Sequence, residues 1–154
     1  MPCLAGNYNP AVGVLVHVAI LPHSQLAALQ VPQAPQSIAP PNLTMFAALL
    51  DTGASVTCIS NNVVQTLGLL PSGKTSMSGS TGQTTVDQYT FGVAFLFGAQ
   101  QTPTGQISGQ LGLHLVQGCE FMHHGFGFDV LIGRDILCKG TLSLSFDGHY
   151  VMAF

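Results

Sequence analysis

An aspartate at the end of a short apolar run is the residue in this chain best suited to do chemistry. The stretch reads Ala47-Ala48-Leu49-Leu50-Asp51-Thr52-Gly53-Ala54-Ser55. The run before Asp51 has the make-up of a buried strand, and burying a carboxylate with no use for it is costly. Only six acidic residues occur in 154, so an acid in that position calls for a reason. Asp51 is therefore the candidate catalytic acid. The other aspartates, Asp87, Asp129, Asp135 and Asp147, lack a Thr-Gly or Ser-Gly after them, so the chain holds no second copy of the motif.

Other groups offer less. The net charge is −3 and Lys74, Arg134 and Lys139 are the only firm cations, which argues against nucleic acid as a partner. Cys3, Cys58, Cys119 and Cys138 are far apart and show no metal-ligand spacing, so they read as buried or free thiols. His123 and His124 are adjacent, and neighbouring side chains of a strand point to opposite faces, which serves chelation poorly. No metal and no cofactor is expected. The N-terminus has no charged segment leading into an apolar core, and the longest apolar run, Val12 to Leu21, is broken by Gly13 and His17. Neither a signal peptide nor a membrane span is read from this, and a cytoplasmic protein without membrane partners is the expectation.

The elements around Asp51 follow from the pattern. Val12–Ile20 is β-branched and partly alternating, a strand with His17 on a solvated or interface face. Residues 22–42 carry Pro22, Pro32, Pro35, Pro40 and Pro41 and read as a Pro-rich insertion, with one or two helical turns near Ser24–Gln30. Thr44–Leu50 is a second strand and Val56–Ser60 a third. Asn61–Gly68 reads as a short helix with an Asn cap and a terminal Gly. Lys74–Thr90 is a polar hairpin whose tip is Gly79-Ser80-Thr81-Gly82. Phe91–Phe97 is an apolar strand returning to the body, and a loop and strand follow to Val116. Phe128–Gly133 is a buried strand, Arg134–Lys139 a short helix, and Thr141–Phe154 a hairpin turning at Asp147-Gly148. The first eleven residues read as an irregular arm with room for one short strand. No long amphipathic helix is found. The class is mainly β with one or two short helices, in a single domain spanning 1–154. Only 6% of residues are charged while 47% are apolar, so copies of the chain repel one another weakly.

Leu49–Ser55 resembles the active-site loop of aspartic proteases. Val130-Leu131-Ile132-Gly133-Arg134-Asp135-Ile136-Leu137 resembles the second signature of the retroviral-type branch, the retropepsins, and Met77–Tyr89 is similar to the flap hairpin of that branch. The resemblance covers roughly residues 12–20 and 43–154, and the closing hairpin fits cellular and bacterial members best. It implies a closed, barrel-like acid protease fold and an aspartic endopeptidase. Such enzymes use two carboxylates that share one proton. With one motif per chain, the second Asp51 must come from a partner, giving a C2 homodimer with the site on its axis. The pair titrates as a unit, which implies an acidic-to-mild pH optimum.

The resemblance also assigns roles. Thr52 braces the partner's loop, and Gly53 turns the backbone and offers its carbonyl to a peptide. Ala54 and Ser55 border the substrate. Gly79, Ser80, Thr81 and Gly82 close over it, and Leu131 and Ile132 help wall side-chain pockets. Many viral members have acids where Ser55 and Val56 stand here, and these pair with the arginine of the second signature. Arg134 must therefore find another partner, with Asp135, Asp129 or a backbone carbonyl as candidates. Two rival readings remain beside the peptidase. One is a retropepsin-fold dimerisation or peptide-binding domain with little turnover, and the other is a partner-binding protein using the Pro-rich residues 31–41.

Overall fold

The computed structural model describes residues 2–29, 43–79, 82–101, 107–122 and 125–154. Six of their strands form a ring closed on itself. In chain order the elements are β1 (Cys3–Asn7), β2 (Val14–Pro22), α1 (His23–Leu29), β3 (Met45–Leu50), β4 (Cys58–Ser60), α2 (Asn61–Leu67), β5 (Gly73–Gly79), β6 (Gly82–Gln101), β7 (Ile107–Phe121), β8 (Val130–Ile132), α3 (Arg134–Leu137), β9 (Thr141–Leu144) and β10 (His149–Ala153). One sheet runs β2-β3-β8-β4-β7-β6-β5, and an added β2–β6 pairing joins six of these strands into a barrel. Closure removes the open edges that would otherwise recruit other chains. β5 stands outside the ring, paired to β6 alone. The fold is thus mainly β and barrel-like, with three short helices among the described residues.

Side-chain alternation explains which faces are buried. In β2, Val14, Val16 and Val18 enter the core while Leu15 and His17 face out. The alternation stops at Ala19, after which both faces are buried as far as Leu21. Leu26 of α1 supplies the cover, packing with Ala19, Leu21 and Ala94 on the outside of the barrel. Inside, Phe91, Val93 and Phe95 of β6 meet Ile59, Val130 and Ile132. A second sheet, β1-β10-β9, adds Tyr150 and Met152 to that same core.

Several elements differ from the pattern reading. Helix α2 is capped by Ser60, not by an asparagine: the Ser60 hydroxyl accepts from the Val63 N–H at 3.3 Å, and Asn61 is already helical. The Gly68 terminator is as expected, left-handed at φ 61°. The second arm of the hairpin and the strand Phe91–Phe97 are one strand, β6, which pairs with β5 up to Gln88 and with β7 from Gln88 onward. The polar-to-apolar switch in composition marks where the barrel begins, not a chain break. The N-terminal arm does hold one short strand, β1, which pairs with β10 over five residues. Residues 30–42, the bulk of the Pro-rich insertion, lie outside the described residues. All four cysteines are free thiols; Cys58 and Cys119 are buried as register partners of β4 and β7, and Cys3 and Cys138 are exposed.

Candidate active site

Asp51 is positioned by the parallel pairing of β3 with β8. That register matches Leu50 to Ile132, and it carries on one step as the Asp51 N–H donates to the Ile132 carbonyl at 2.9 Å. The chain then turns tightly, with the Ala54 N–H donating to the Asp51 carbonyl at 3.3 Å. The Gly53 N–H donates to Asp51 Oδ1 at 2.8 Å, which fixes the direction of the carboxylate. Gly53 is not among the glycines at positive φ. Its requirement is room: a Cβ there would stand 3.1 Å from Asp51 Oδ1.

A buried network ties this loop to the segment after β8. Thr57, fully buried, donates its hydroxyl to Asp135 Oδ1 at 2.8 Å and its N–H to Asp135 Oδ2 at 3.0 Å. The same hydroxyl accepts from the Gly133 N–H at 3.1 Å. The Arg134 N–H donates to the Ala54 carbonyl at 3.0 Å. Gly133 is where the two segments come closest, since a Cβ would lie 2.5 Å from the Val56 carbonyl carbon. Asp135 is thereby committed to Thr57 and the Ile136 N–H. Asp129 accepts from the Ser60 hydroxyl and from Asn62. Among the described residues the Arg134 side chain makes no ion pair.

Beside Asp51 lies a groove of about 940 Å³. Leu49, Asp51 and Leu131 form its floor. Met77 of β5 and Thr84 to Asp87 of β6 bring the hairpin to it. Glu120 and Phe121 of β7, with Met122, Phe126 and Phe128 after it, complete the lining. The groove thus joins the two signatures and the hairpin that the sequence singled out.

The remaining candidate residues are distributed as follows. Thr52, Gly53 and Ser55 are exposed on the loop and Ala54 is half-buried, and none of them lines the groove. Ile132 is fully buried in the core behind the loop, while its neighbour Leu131 reaches the groove. Gly79 and Gly82 face each other as the last pair of the hairpin, with Gly82 at φ 123°. Ser80, Thr81, His123 and His124 lie outside the described residues. Among the described residues no three His, Cys, Asp or Glu side chains gather where one ion could bind them, and no helix is long and apolar enough to cross a membrane.

Motif reading missed two features. Thr57 gave no signal beyond its place six residues after Asp51. Glu120 looked like an ordinary strand residue. Glu120 is half-buried, and its Oε2 accepts from the Tyr89 hydroxyl at 2.7 Å. Burial, and then this bond to Glu120, push the Tyr89 phenol above its ordinary range. Behind the groove, burial and the neighbouring Cys119 push the Cys58 thiol up to about 12.

Residues 42–101 match the family model of the aspartyl proteases, a stretch that contains Asp51-Thr52-Gly53 and both strands of the hairpin. In fold the chain is similar to a retropepsin-like aspartic protease from Rickettsia conorii, with a TM-score of 0.55, 11% identity, and coverage of 97% of this chain and 89% of the other. The likeness over nearly the whole length gives this chain a retropepsin-like fold. A comparison with curated protein sequences gives no match.

Proposed function

We propose that the protein is an aspartic endopeptidase that works as a homodimer, with one Asp51 from each copy. The observation that carries this is the Asp51 carboxylate itself. It is aimed by the Gly53 N–H, held by a loop tied to the second signature, and opens onto a groove bordered by a hairpin. The aspartyl protease family match over that loop supports it.

A single chain supplies one carboxylate, and the reaction needs two. Across a two-fold axis the Asp51 pair would hold a water between them. Two such acids that close cannot both ionise, so they share one proton. The ionised member takes a proton from the water as it attacks the scissile carbonyl. The protonated member hydrogen-bonds that carbonyl and stabilises the tetrahedral diol. Thr52 braces the two loops, and Gly53, Ala54 and Ser55 border the substrate backbone. The hairpin ending in Gly79 and Gly82, with Ser80 and Thr81 at its tip, is the flap that closes over an extended peptide and excludes water.

The test is Asp51→Asn, measured as cleavage of a peptide library by the purified full chain. Cleavage by the wild type and none above background by the variant is expected. Cleavage that survives the substitution means the mechanism is wrong. Sedimentation at assay pH should show a dimer, and a strict monomer that still cleaves would rule out the shared site.

A further inference from the structure

We infer that Glu120 makes the groove selective for peptides that place a lysine or arginine side chain in it. This rests on the groove being the substrate cleft proposed above. Six groove residues around Glu120 set its chemistry: Phe121, Met122, Phe126, Phe128 and Leu131 are apolar, and Asp87 faces from the hairpin. Tyr89 holds Glu120 in place. It is only 4% exposed, and its hydroxyl binds Oε2 at 2.7 Å. That bond occupies one carboxylate oxygen and leaves Oε1 with lone pairs for a further donor.

The pocket therefore pairs an oriented anion with apolar walls. A lysine or arginine side chain has the matching form, an apolar stem ending in a cation. The Phe126 and Phe128 rings stack with centroids 5.4 Å apart and planes 9° from parallel, presenting a flat aromatic surface of the kind on which a guanidinium packs. Among the described residues, the charged side chains that line the groove are all acidic. Three of the chain's six acids, Asp51, Asp87 and Glu120, line it, and none of Lys74, Arg134 and Lys139 does. Lys74 meets Asp87 at 3.8 Å, with its own side chain 75% exposed, so the pair is well solvated and weak. An apolar side chain entering the groove would strip water from Glu120 and return no donor, and an acidic one would add repulsion.

Binding to the catalytically silent Asp51→Asn chain tests selectivity apart from turnover. Fluorescent extended peptides carry lysine, arginine, norleucine or glutamate at each position in turn. At one position the basic peptides should bind about tenfold or more tighter than norleucine, with glutamate weakest. Adding Glu120→Gln, which keeps an acceptor for Tyr89, should abolish that preference. Adding Glu120→Asp should keep its direction, and Glu120→Lys should turn it toward glutamate. Tight binding with no basic preference overturns the inference, as does a preference unchanged by Glu120→Gln. Binding of no peptide at all overturns it together with the cleft reading. Lost cleavage alone, with selective binding intact, would remove only the peptidase mechanism.

Discussion

The Thr57 hydroxyl and the Asp135 carboxylate, 78 residues apart in sequence, meet at 2.8 Å beneath the Asp51 loop. That one hydroxyl also receives the Gly133 N–H, so a single buried oxygen locks the two signatures together.

Replacing it with a methyl group of the same shape isolates this bond. Thr57→Val keeps the volume but leaves the Gly133 N–H without a partner and Asp135 Oδ1 with the Ile136 N–H alone. The expected cost is about 1–3 kcal/mol of folding stability, or roughly 2–4 °C of melting temperature per kcal/mol in a domain of this size. Thermal unfolding followed by circular dichroism reads it. A melting temperature equal to that of the wild type would mean the brace contributes nothing.

Gly53→Ala should separate stability from activity. The added methyl crowds Asp51 Oδ1 at 3.1 Å on an exposed loop. The fold has little to lose there, while the carboxylate must shift by a fraction of an ångström. Misplacements of about 1 Å can cost on the order of a hundredfold in rate, so a loss of about tenfold in kcat is the expectation, with the melting temperature close to wild type. The comparison of kcat with melting temperature is the check.

His114 gives the stability curve an acid-side slope. Its Nε2 is buried with no hydrogen-bond partner, and its ring lies 4.7 Å from Phe154 and 5.8 Å from Phe95. Desolvation first, and then Lys139, lower its pKa below the ordinary value of 6.5. The unfolded chain therefore takes up this proton before the folded one does. Stability from the neutral ring is fully present above the unfolded value of about 6.5 and is lost as pH falls from there toward the lowered folded value. His114→Phe should remove this part of the slope. Melting temperatures of both proteins between about pH 7.5 and 5 should diverge on the acid side; parallel curves would exclude His114 as the source.

How much of this was legible in the sequence differs by element. The strands around Asp51 were readable because β-branched residues alternate or run together there, and the β9–β10 hairpin because Asp147-Gly148 forces a turn, with Gly148 at φ 83°. The helix cap was misassigned by one residue because Ser60 and Asn61 are both good caps and only the backbone turn decides between them. The Thr57–Asp135 contact was invisible because no local rule links residues so far apart. Glu120 was hidden for a related reason: its meaning comes from Tyr89 on a neighbouring strand, and pairing register is a property of the folded sheet.

β6 belongs to the ring and to the hairpin, while β5 belongs to the hairpin alone. The depth of the groove's hairpin side can therefore change in evolution without touching the barrel, but only in discrete steps. One residue added to each arm at its base would turn the cross-strand pair Met77 and Thr84 to the opposite face of the hairpin, because strand side chains alternate. Two per arm would restore the facing and lengthen the cover. Viable hairpin lengths in chains of this architecture should thus differ by even numbers per arm, a parity rule imposed by the pleat.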